Sequence, residues 1–381
     1  MNEIYFDHAA TTPMHPEALE AYVETASAGP GNASSLHGYG RSAKERLSAA
    51  RDTLAGLLNA APNEIVFTGS GTESDNTALF GAAYAQFKRG RDRIVTTATE
   101  HHAVLHACKR LEEQGFRLTV LPVDEFGRVD PRTARAAIDE TTAVVSVMAG
   151  NNETGTLQPI EEIGEIARSA GAVMHVDAVQ AFGYLPFDVK KLPVDLLSAS
   201  AHKINGPQGV GLLYARRGAP FVPLLYGGSQ ERSRRAGTEN VAGIVAFAKA
   251  AEIAFGSRVS RGERAESVRD EVIRQLSERI GPDGFVVNGH PEHRLPHVLN
   301  VSFPGISSES MLMNLDLEGV AASGGSACNS GSLKPSHVLE AMGLPSDRIS
   351  SAVRFSFGLG NTREEAEKMA KIIATISARY A

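Results

Sequence analysis

The chain has 381 residues, more than a single hydrophobic core usually serves, so its length predicts two domains. Its composition, with 42% hydrophobic and 22% charged residues, excludes a disordered, collagen-like or coiled-coil protein. The formal charge of −6 provides no general attraction for nucleic acid or acidic membranes, so direct binding to nucleic acid is not expected.

Two cysteines, Cys108 and Cys328, lie far apart and form no CxxC or Cys/His pattern, which argues against a disulfide framework or a structural zinc site. Residues 1–7 lack the pattern of a signal peptide. The most apolar stretch, 241–255, is interrupted by Lys249 and Glu252. We therefore expect a cytoplasmic protein without a membrane span.

The first two thirds of the chain alternates β-branched runs with helical patterns, which predicts an α/β doubly wound sheet with crossover helices. The predicted strands are 64–68, 93–97, 117–121, 143–148, 173–177, 196–199 and 209–215. The predicted helices are 72–89, 103–114, 131–138 and 160–169.

After Gly218 the pattern changes to a polar, Arg-rich stretch, 227–240, and two long helical patterns, 241–255 and 262–280. Strands at 296–303 and 353–357, with helices at 308–315 and 363–378, predict a smaller α+β domain.

A lysine at position 203 follows a run of small residues that leaves a predicted strand, and Gly206 and Pro207 prevent a helix there. An amine beside small buried residues and the imidazole of His202 can lose its charge and form a Schiff base with a carbonyl cofactor. A solvated loop lysine is the alternative interpretation.

Upstream, the apolar strand 173–177 ends in Asp177, and Gln180 follows. Ligands bind at the carboxyl ends of the strands in open α/β sheets. An aspartate there could keep a pyridinium nitrogen protonated, and Gln180 could donate to a phenolic oxygen. Alternatively, Asp177 only caps the next helix.

Two segments after other strands add to this edge of the sheet. The segment 68–76, with Gly71 and Thr72, opens a helix whose N-terminal N–H groups could hold a phosphate, although ordinary capping explains the same residues. His101 could stack on an aromatic cofactor and move protons. The i, i+4 pair His102 and His106 lacks further ligands, so no metal is expected.

Asn152 follows strand 143–148, where an amide could bind a ring substituent or a carboxylate, although two asparagines before a glycine also form turns. Cys328 lies in a Gly- and Ser-rich loop, about 323–334, that is too small and polar to bury it. Its thiolate could be a nucleophile or a surface thiol. Cys108, on the apolar side of a predicted helix, is interpreted as a core residue.

These segments, in this order, resemble the pyridoxal-phosphate cysteine desulfurases of the NifS/IscS kind, from Tyr5-Phe6-Asp7-His8-Ala9-Ala10-Thr11-Thr12-Pro13 to Arg354. The strongest part of the likeness is the combination of Ser200-Ala201-His202-Lys203, Arg235-Ala236-Gly237-Thr238 and Ser326-Ala327-Cys328. The resemblance implies a homodimeric fold-type-I enzyme of the class-V aminotransferase family. It also implies a large domain, 14–256, with a mostly parallel seven-stranded sheet, and a smaller α+β domain, 1–13 and 257–381.

The resemblance also implies the roles of individual residues. Lys203 looks like the Schiff-base lysine, Asp177 like the partner of the pyridine nitrogen, Gln180 like the donor to the phenolic oxygen, and His101 like the stacking imidazole. Gly71, Thr72, Ser200 and His202 match the phosphate cup, which Thr238 would complete from the neighbouring subunit. Asn152 and Arg354 would hold the substrate carboxylate, and Cys328 would receive the sulfur.

The activity implied by the resemblance is the removal of sulfur from L-cysteine to give L-alanine and a persulfide on Cys328. The expected partner is a sulfur-acceptor protein of iron–sulfur cluster assembly or tRNA thiolation. Alternatives are a selenocysteine lyase, an aminotransferase-like enzyme that needs no loop thiol, and a non-catalytic sulfur carrier or scaffold-binding protein.

Overall fold

The computed structural model describes residues 3–325 and 335–380. Its largest sheet contains seven strands: Ile65–Thr68 (β2), Arg93–Thr97 (β3), Arg117–Leu121 (β4), Thr142–Ser146 (β5), Val173–Asp177 (β6), Leu196–Ser200 (β7) and Gly211–Ala215 (β8). Their order is β2-β8-β7-β6-β5-β3-β4. Strand β8 runs antiparallel to both of its neighbours, and the remaining pairs are parallel. The prediction of a mostly parallel seven-stranded sheet is confirmed.

Helices cover both faces of this sheet: Gly38–Leu58 (α2), Gly71–Phe87 (α3), His102–Glu113 (α4), Pro131–Ala137 (α5), Ile160–Ala170 (α6) and Val241–Gly256 (α8). Pro16–Ser27 (α1) packs against α8. Successive side chains of a strand point to opposite faces. Accordingly, Phe67 and Val145 belong to one apolar cluster, and their neighbours Val66 and Val144 belong to another. Because both faces of the sheet are covered, β2, β5, β6, β7 and β8 are buried along their whole length, whereas the edge strand β4 is partly exposed.

The remaining strands form two small sheets. Ile4–Tyr5 (β1) pairs in parallel with Val320–Ala321 (β11), while Val286–Asn288 (β9), Val298–Ser302 (β10) and Ala352–Ser356 (β12) form an antiparallel sheet in the order β12-β10-β9. The helices of this part are Arg258–Ile280 (α9), Ser308–Leu317 (α10), His337–Ala341 (α11), Ser346–Ser350 (α12) and Arg363–Ser377 (α13). A third apolar cluster joins Phe6, Val272, Leu299, Phe355 and Ile373. The predicted domain boundaries stay a prediction.

The short helix Gln230–Ser233 (α7) contains left-handed backbone. The φ angles of Glu231, Arg232 and Ser233 are 47°, 57° and 61°, and the Ser233 N–H donates to the Ser229 carbonyl at 3.3 Å. A left-handed conformation costs about 1–2 kcal/mol for each residue with a Cβ. Contacts elsewhere must therefore hold this turn in place.

Strands β2, β3, β5, β6 and β7 share one direction, so the residues that follow them meet at one edge of the sheet. These residues include most of the candidate site residues predicted from the sequence. Among the helices of the described ranges, none is long and apolar enough to cross a bilayer.

Candidate active site

A cavity of about 200 Å³ lies at the carboxyl edge of the large sheet. Ten of the predicted site residues line it: Gly71, Thr72, His101, Asn152, Asp177, Gln180, Ser200, His202, Lys203 and Arg354. Thr238 is not part of the lining and is exposed on the single chain. Cys328 lies outside the described residues. The structure therefore brings together residues that are up to 283 positions apart, from Gly71 to Arg354.

Lys203 ends a 3₁₀ turn, Ala201–Lys203, that directly follows β7. Its Nζ donates to the carbonyl oxygens of Ala9 and Ala10, the latter at 2.8 Å. Gln180 Nε2 donates to the same Ala9 carbonyl at 2.9 Å. The segment around Ala9 therefore forms one wall of the cavity and orients both predicted cofactor ligands. Sequence reasoning missed this role, because a backbone carbonyl leaves no mark on residue type.

Asp177 is the last residue of β6, and its Oδ1 accepts from the Val179 N–H at 2.9 Å. No helix begins after Asp177, so its carboxylate closes a turn rather than capping a helix, and it also lines the cavity. Its role towards a pyridine nitrogen stays a prediction. Burial raises the pKa of Asp177, although the nearby Lys203 amine opposes this rise. A counter-charge would favour the ionised carboxylate.

Asp75 of α3 is a second carboxyl group in the cavity, and sequence reasoning gave it no role. Its Oδ1 lies 3.5 Å from His175 Nε2, and this ring also contacts Ser146 and Ser198. Burial, and then the charge of Asp177, raise the pKa of Asp75 well above its usual value. Because two buried carboxylates repel each other, Asp75 keeps a proton more readily than Asp177.

His101 is the N-cap residue of α4, and its Nδ1 accepts from the Ala103 N–H at 3.1 Å. The proton of the neutral ring therefore resides on Nε2. Burial, together with the charge of Lys203, lowers the pKa of His101 to about 4. The imidazole is neutral near pH 7 and can donate from Nε2.

Gly71 and Thr72, at the N-terminus of α3, line the cavity and form the cradle at which a phosphate would bind. A Cβ at Gly71 would lie 2.7 Å from Val179 Cγ2, so no other residue fits without displacement. Ser200 lines the cavity, and its buried Oγ has no hydrogen-bond partner within residues 3–325 and 335–380. Helix N-termini bind anions, and the 17-residue α3 supplies such an end. With the amine of Lys203 and the carboxyl of Asp177, these groups fit a phosphorylated pyridine aldehyde.

Arg354 of β12 reaches the opposite side of the cavity and is only 1% exposed. Its Nη2 donates to Asp7 Oδ1 at 2.9 Å and its Nη1 to the Asn152 carbonyl at 3.0 Å. Within the described part of the chain, its Nε has no partner. Asn151, not Asn152, makes the predicted turn, because its Oδ1 accepts from the N–H groups of Glu153 and Thr154.

Of the two cysteines, Cys108 lies within the described residues. Cys108 lies on α4 in the apolar cluster with Val104 and Leu111 and has no exposed surface, as predicted. Burial raises the pKa of its thiol to about 12.

The rings of His102 and His106 lie 5.0 Å apart, and the ring of His337 lies 4.6 Å from His102, yet no described residues form a metal-binding group.

Comparisons with known proteins show which family the chain resembles. The family model for aminotransferase class V matches residues 4–369. The "Putative cysteine desulfurase IscS 1" of Bacillus subtilis (strain 168) is 50% identical over 100% of both chains. The "Cysteine desulfurase IscS" of Methanosarcina thermophila is 47% identical over 98% of this chain and 91% of that protein. A solved "NIFS-LIKE PROTEIN", 38% identical, superimposes with a TM-score of 0.92 over 99% of this chain and 100% of its own.

The chain therefore belongs to the class-V aminotransferase family, whose members are pyridoxal-phosphate enzymes. Within that family it is one of the cysteine desulfurases, as its curated relatives and its NifS-like structural neighbour show. The predictions of the family, of the fold type and of an enzyme are confirmed.

Proposed function

We propose that the enzyme removes the sulfur of L-cysteine with the help of pyridoxal 5'-phosphate in the described cavity. The products would be L-alanine and a persulfide on Cys328. The principal support is the convergence of the amine of Lys203, the carboxyl of Asp177 and the anion cradle at Gly71 in one cavity. These are the three groups that a phosphorylated pyridine aldehyde requires.

Each residue around the cavity has a proposed task. Lys203 would hold the aldehyde covalently, Asp177 the ring nitrogen, Gln180 the ring oxygen, and His101 the face of the ring. Gly71, Thr72, Ser200 and His202 would hold the phosphate. When bound, the cofactor supplies an electron sink that stabilises negative charge at the substrate Cα. Asp177 supports this chemistry as an anion, which requires that Asp75 carries the proton of the pair.

The chain's own groups bind the substrate and move its protons. The guanidinium of Arg354, aided by Asn152, binds the substrate carboxylate, since its fork matches a carboxylate geometrically. The amine of Lys203, once uncharged, accepts the Cα proton, and His101 can donate from Nε2. The Cys328 thiolate attacks the substrate sulfur, so that an S–S bond forms as the C–S bond breaks. Atoms balance, because L-cysteine and one thiol give L-alanine and one persulfide.

The proposed partners are a second subunit of this chain and a protein that accepts the sulfur. Thr238 is exposed on the single chain, which suits its proposed contact with the cofactor phosphate of a second subunit in a homodimer. The persulfide would pass to an acceptor protein of iron–sulfur cluster assembly or tRNA thiolation. A cytoplasmic location stays a prediction, based on two cysteines without a pairing pattern.

Reduction of the purified enzyme with borohydride tests the role of Lys203. We expect a yellow protein whose cofactor becomes covalently fixed and maps to the peptide that contains Lys203. Lys203→Ala should lose both properties, whereas Lys191→Ala, which changes an exposed lysine, should keep them. A wild-type protein that stays colourless after incubation with pyridoxal phosphate would refute the proposal.

Product analysis tests the chemistry. With L-cysteine and a reductant, sulfide and alanine should appear in equal amounts, and Cys328→Ala should stop sulfide release while Cys108→Ala leaves it intact. Alanine without sulfide, or a fully active Cys328→Ala variant, would contradict the role of Cys328 and favour an aminotransferase-like enzyme.

A further inference from the structure

The left-handed turn of α7 is held by a buried ion pair. Glu231 is 6% exposed, and its two carboxylate oxygens accept from Arg51 Nη2 at 2.6 Å and Nη1 at 2.8 Å. Glu231 Oε2 also accepts from the Phe67 N–H at 3.0 Å, and the Arg51 guanidinium lies 4.5 Å from the centre of the Phe67 ring. These contacts attach the turn to both α2 and β2.

The chain leaves the turn towards the N-terminus of α3. Arg234 Nη2 donates to the Asn63 carbonyl at 2.7 Å, which fixes the first residue after the turn. Arg235 then forms a bidentate pair with Glu73, with Nε 2.7 Å from Oε1 and Nη2 3.2 Å from Oε2. Glu73 Oε2 also accepts from the Gly69 N–H at 2.8 Å. A continuous series of contacts therefore connects the buried Arg51–Glu231 ion pair with the loop that precedes Gly71.

The position of Glu73 would by itself disfavour an anion site. Its carboxylate lies in the first turn of α3, next to the cradle where a phosphate would bind, and like charges repel. The guanidinium of Arg235 compensates this charge, and the bidentate geometry fixes the carboxylate against the Gly69 amide. Side chains of the pair are each 21% exposed, so solvent screens it only in part.

We propose that the Arg51–Glu231 and Arg235–Glu73 pairs form one brace that positions the phosphate cradle at the N-terminus of α3. The unfavourable left-handed turn persists because it brings Arg235 onto Glu73. These four side chains are positioning residues, since they act through the cradle and are absent from the cavity lining. The brace deepens the proposed function, because it rests on a cofactor phosphate that binds at Gly71.

The test compares two probes, pyridoxal 5'-phosphate and pyridoxal, which differ only in the phosphate. Each is titrated into the cofactor-free full chain, and the absorbance of the bound form gives the dissociation constant. For Arg235→Gln we expect a loss of affinity of about tenfold for pyridoxal 5'-phosphate and less than about twofold for pyridoxal. Equal losses for both probes, or no loss for either, would overturn the brace.

A matched control changes an ion pair of similar exposure at the other end of the sheet. Asp139→Asn removes the pair with Arg93, whose side chains are 25% and 39% exposed, and should leave the ratio of the two dissociation constants unchanged. If the wild-type chain binds neither probe, the proposed function fails. If it binds both and Arg235→Gln keeps the wild-type ratio, the brace alone fails.

A second pair of variants tests the buried Arg51–Glu231 end of the brace by asking whether a lost affinity can be restored. Glu231→Gln removes the charge that holds the turn, and we expect a selective loss for the phosphorylated probe similar to that of Arg235→Gln. Ser233→Gly permits the left-handed backbone at no steric cost, so adding it to Glu231→Gln should regain most of the lost affinity. If Glu231→Gln does not fold, the double variant Ser233→Gly/Arg235→Gln provides the test. Glycine at position 233 cannot replace the guanidinium of Arg235, so this double variant should bind pyridoxal 5'-phosphate as weakly as Arg235→Gln alone. Wild-type affinity in the double variant would contradict the proposal.

Discussion

Arg354 and Asp7 form an ion pair at 2.9 Å across the cavity wall, although 347 positions separate them in the chain. Asp7 follows β1 and Arg354 lies in β12, so the pair ties the N-terminal segment to the small antiparallel sheet. A buried guanidinium needs a negative partner, and Asp7 provides one when no substrate is bound. A substrate carboxylate at Arg354 would then meet both the attraction of the arginine and the repulsion of Asp7.

Replacing Asp7 with asparagine separates these two effects. Asp7→Asn keeps an oxygen for Arg354 Nη2 but removes the negative charge, so the substrate carboxylate should bind more tightly. We expect the KM for L-cysteine to fall roughly threefold, equivalent to ~0.6 kcal/mol. The substrate-free enzyme should lose about 2 kcal/mol of stability, because its guanidinium lacks a counter-charge. Steady-state alanine formation and denaturant unfolding measure the two changes, and a higher KM would contradict the assigned repulsion.

The tight contact at Gly71 predicts a second pair of variants. A Cβ at this position would lie 2.7 Å from Val179 Cγ2 and 3.4 Å from Ser200 Cβ, which forces the cradle apart. Gly71→Ala should weaken pyridoxal 5'-phosphate binding by about tenfold. Adding Val179→Ala removes the clashing methyl groups and should restore most of the affinity. Absorbance titration checks both variants, and a tight-binding Gly71→Ala would show that the cradle tolerates a side chain.

The sequence predicted the large sheet well, because short runs rich in apolar and β-branched residues alternate there with helical patterns. Strands β3, β4 and β6 have the predicted bounds, and β5 and β8 differ by a few residues. Helices α1 and α2 were not predicted. Their N-caps are His15 and His37, which are not usual capping residues, and α2 carries glycines at positions 38 and 40. Local signals for a helix start were therefore weak.

Residues with a reactive side chain directly after a strand could be proposed as cavity residues from the sequence, whereas contacts that depend on how distant segments pack could not. Lys203 and Asp177 follow strands and carry residue types with a chemical purpose. The carbonyls of Ala9 and Ala10 have no such signature, and the proximity of Asp75 to Asp177 depends on how α3 packs over β6. Likewise, the Arg-rich stretch 227–240 gave no hint that Glu231 is buried against Arg51. Long-range packing decides these contacts.

The burial of Cys108 predicts how the thiols react. A thiol with no exposed surface and a pKa raised to about 12 is almost entirely protonated and shielded. Native Cys328→Ala should therefore incorporate no iodoacetamide near pH 8 until the protein is unfolded, and then one equivalent per chain. The wild-type chain serves as the control and should label at Cys328. Rapid labelling of Cys108 in the native variant would contradict its burial.

Buried titratable groups predict how stability changes with pH. Burial lowers the pKa values of seven histidines, to about 3 for His175 and about 4 for His101: His8, His101, His102, His175, His202, His290 and His297. Below about pH 6.5 these histidines become protonated in the unfolded chain but stay neutral in the folded chain. The folded state therefore loses stability as the pH falls. Three buried acids act in the opposite direction, because their pKa values are raised and the folded chain holds the extra protons: Asp75, Glu100 and Asp177.

The seven histidines outnumber the three acids, so unfolding of the cofactor-free chain should take up protons near pH 5. We therefore expect the free energy of unfolding to decrease as the pH falls from about 6 to about 4.5. Urea unfolding at several pH values measures this slope. His297→Gln should make this decrease less steep, because burial lowers the pKa of His297 well below its usual value. A free energy of unfolding that stays constant or increases as the pH falls would contradict this expectation. It would mean that the buried acids dominate and that the histidines are protonated in the folded chain.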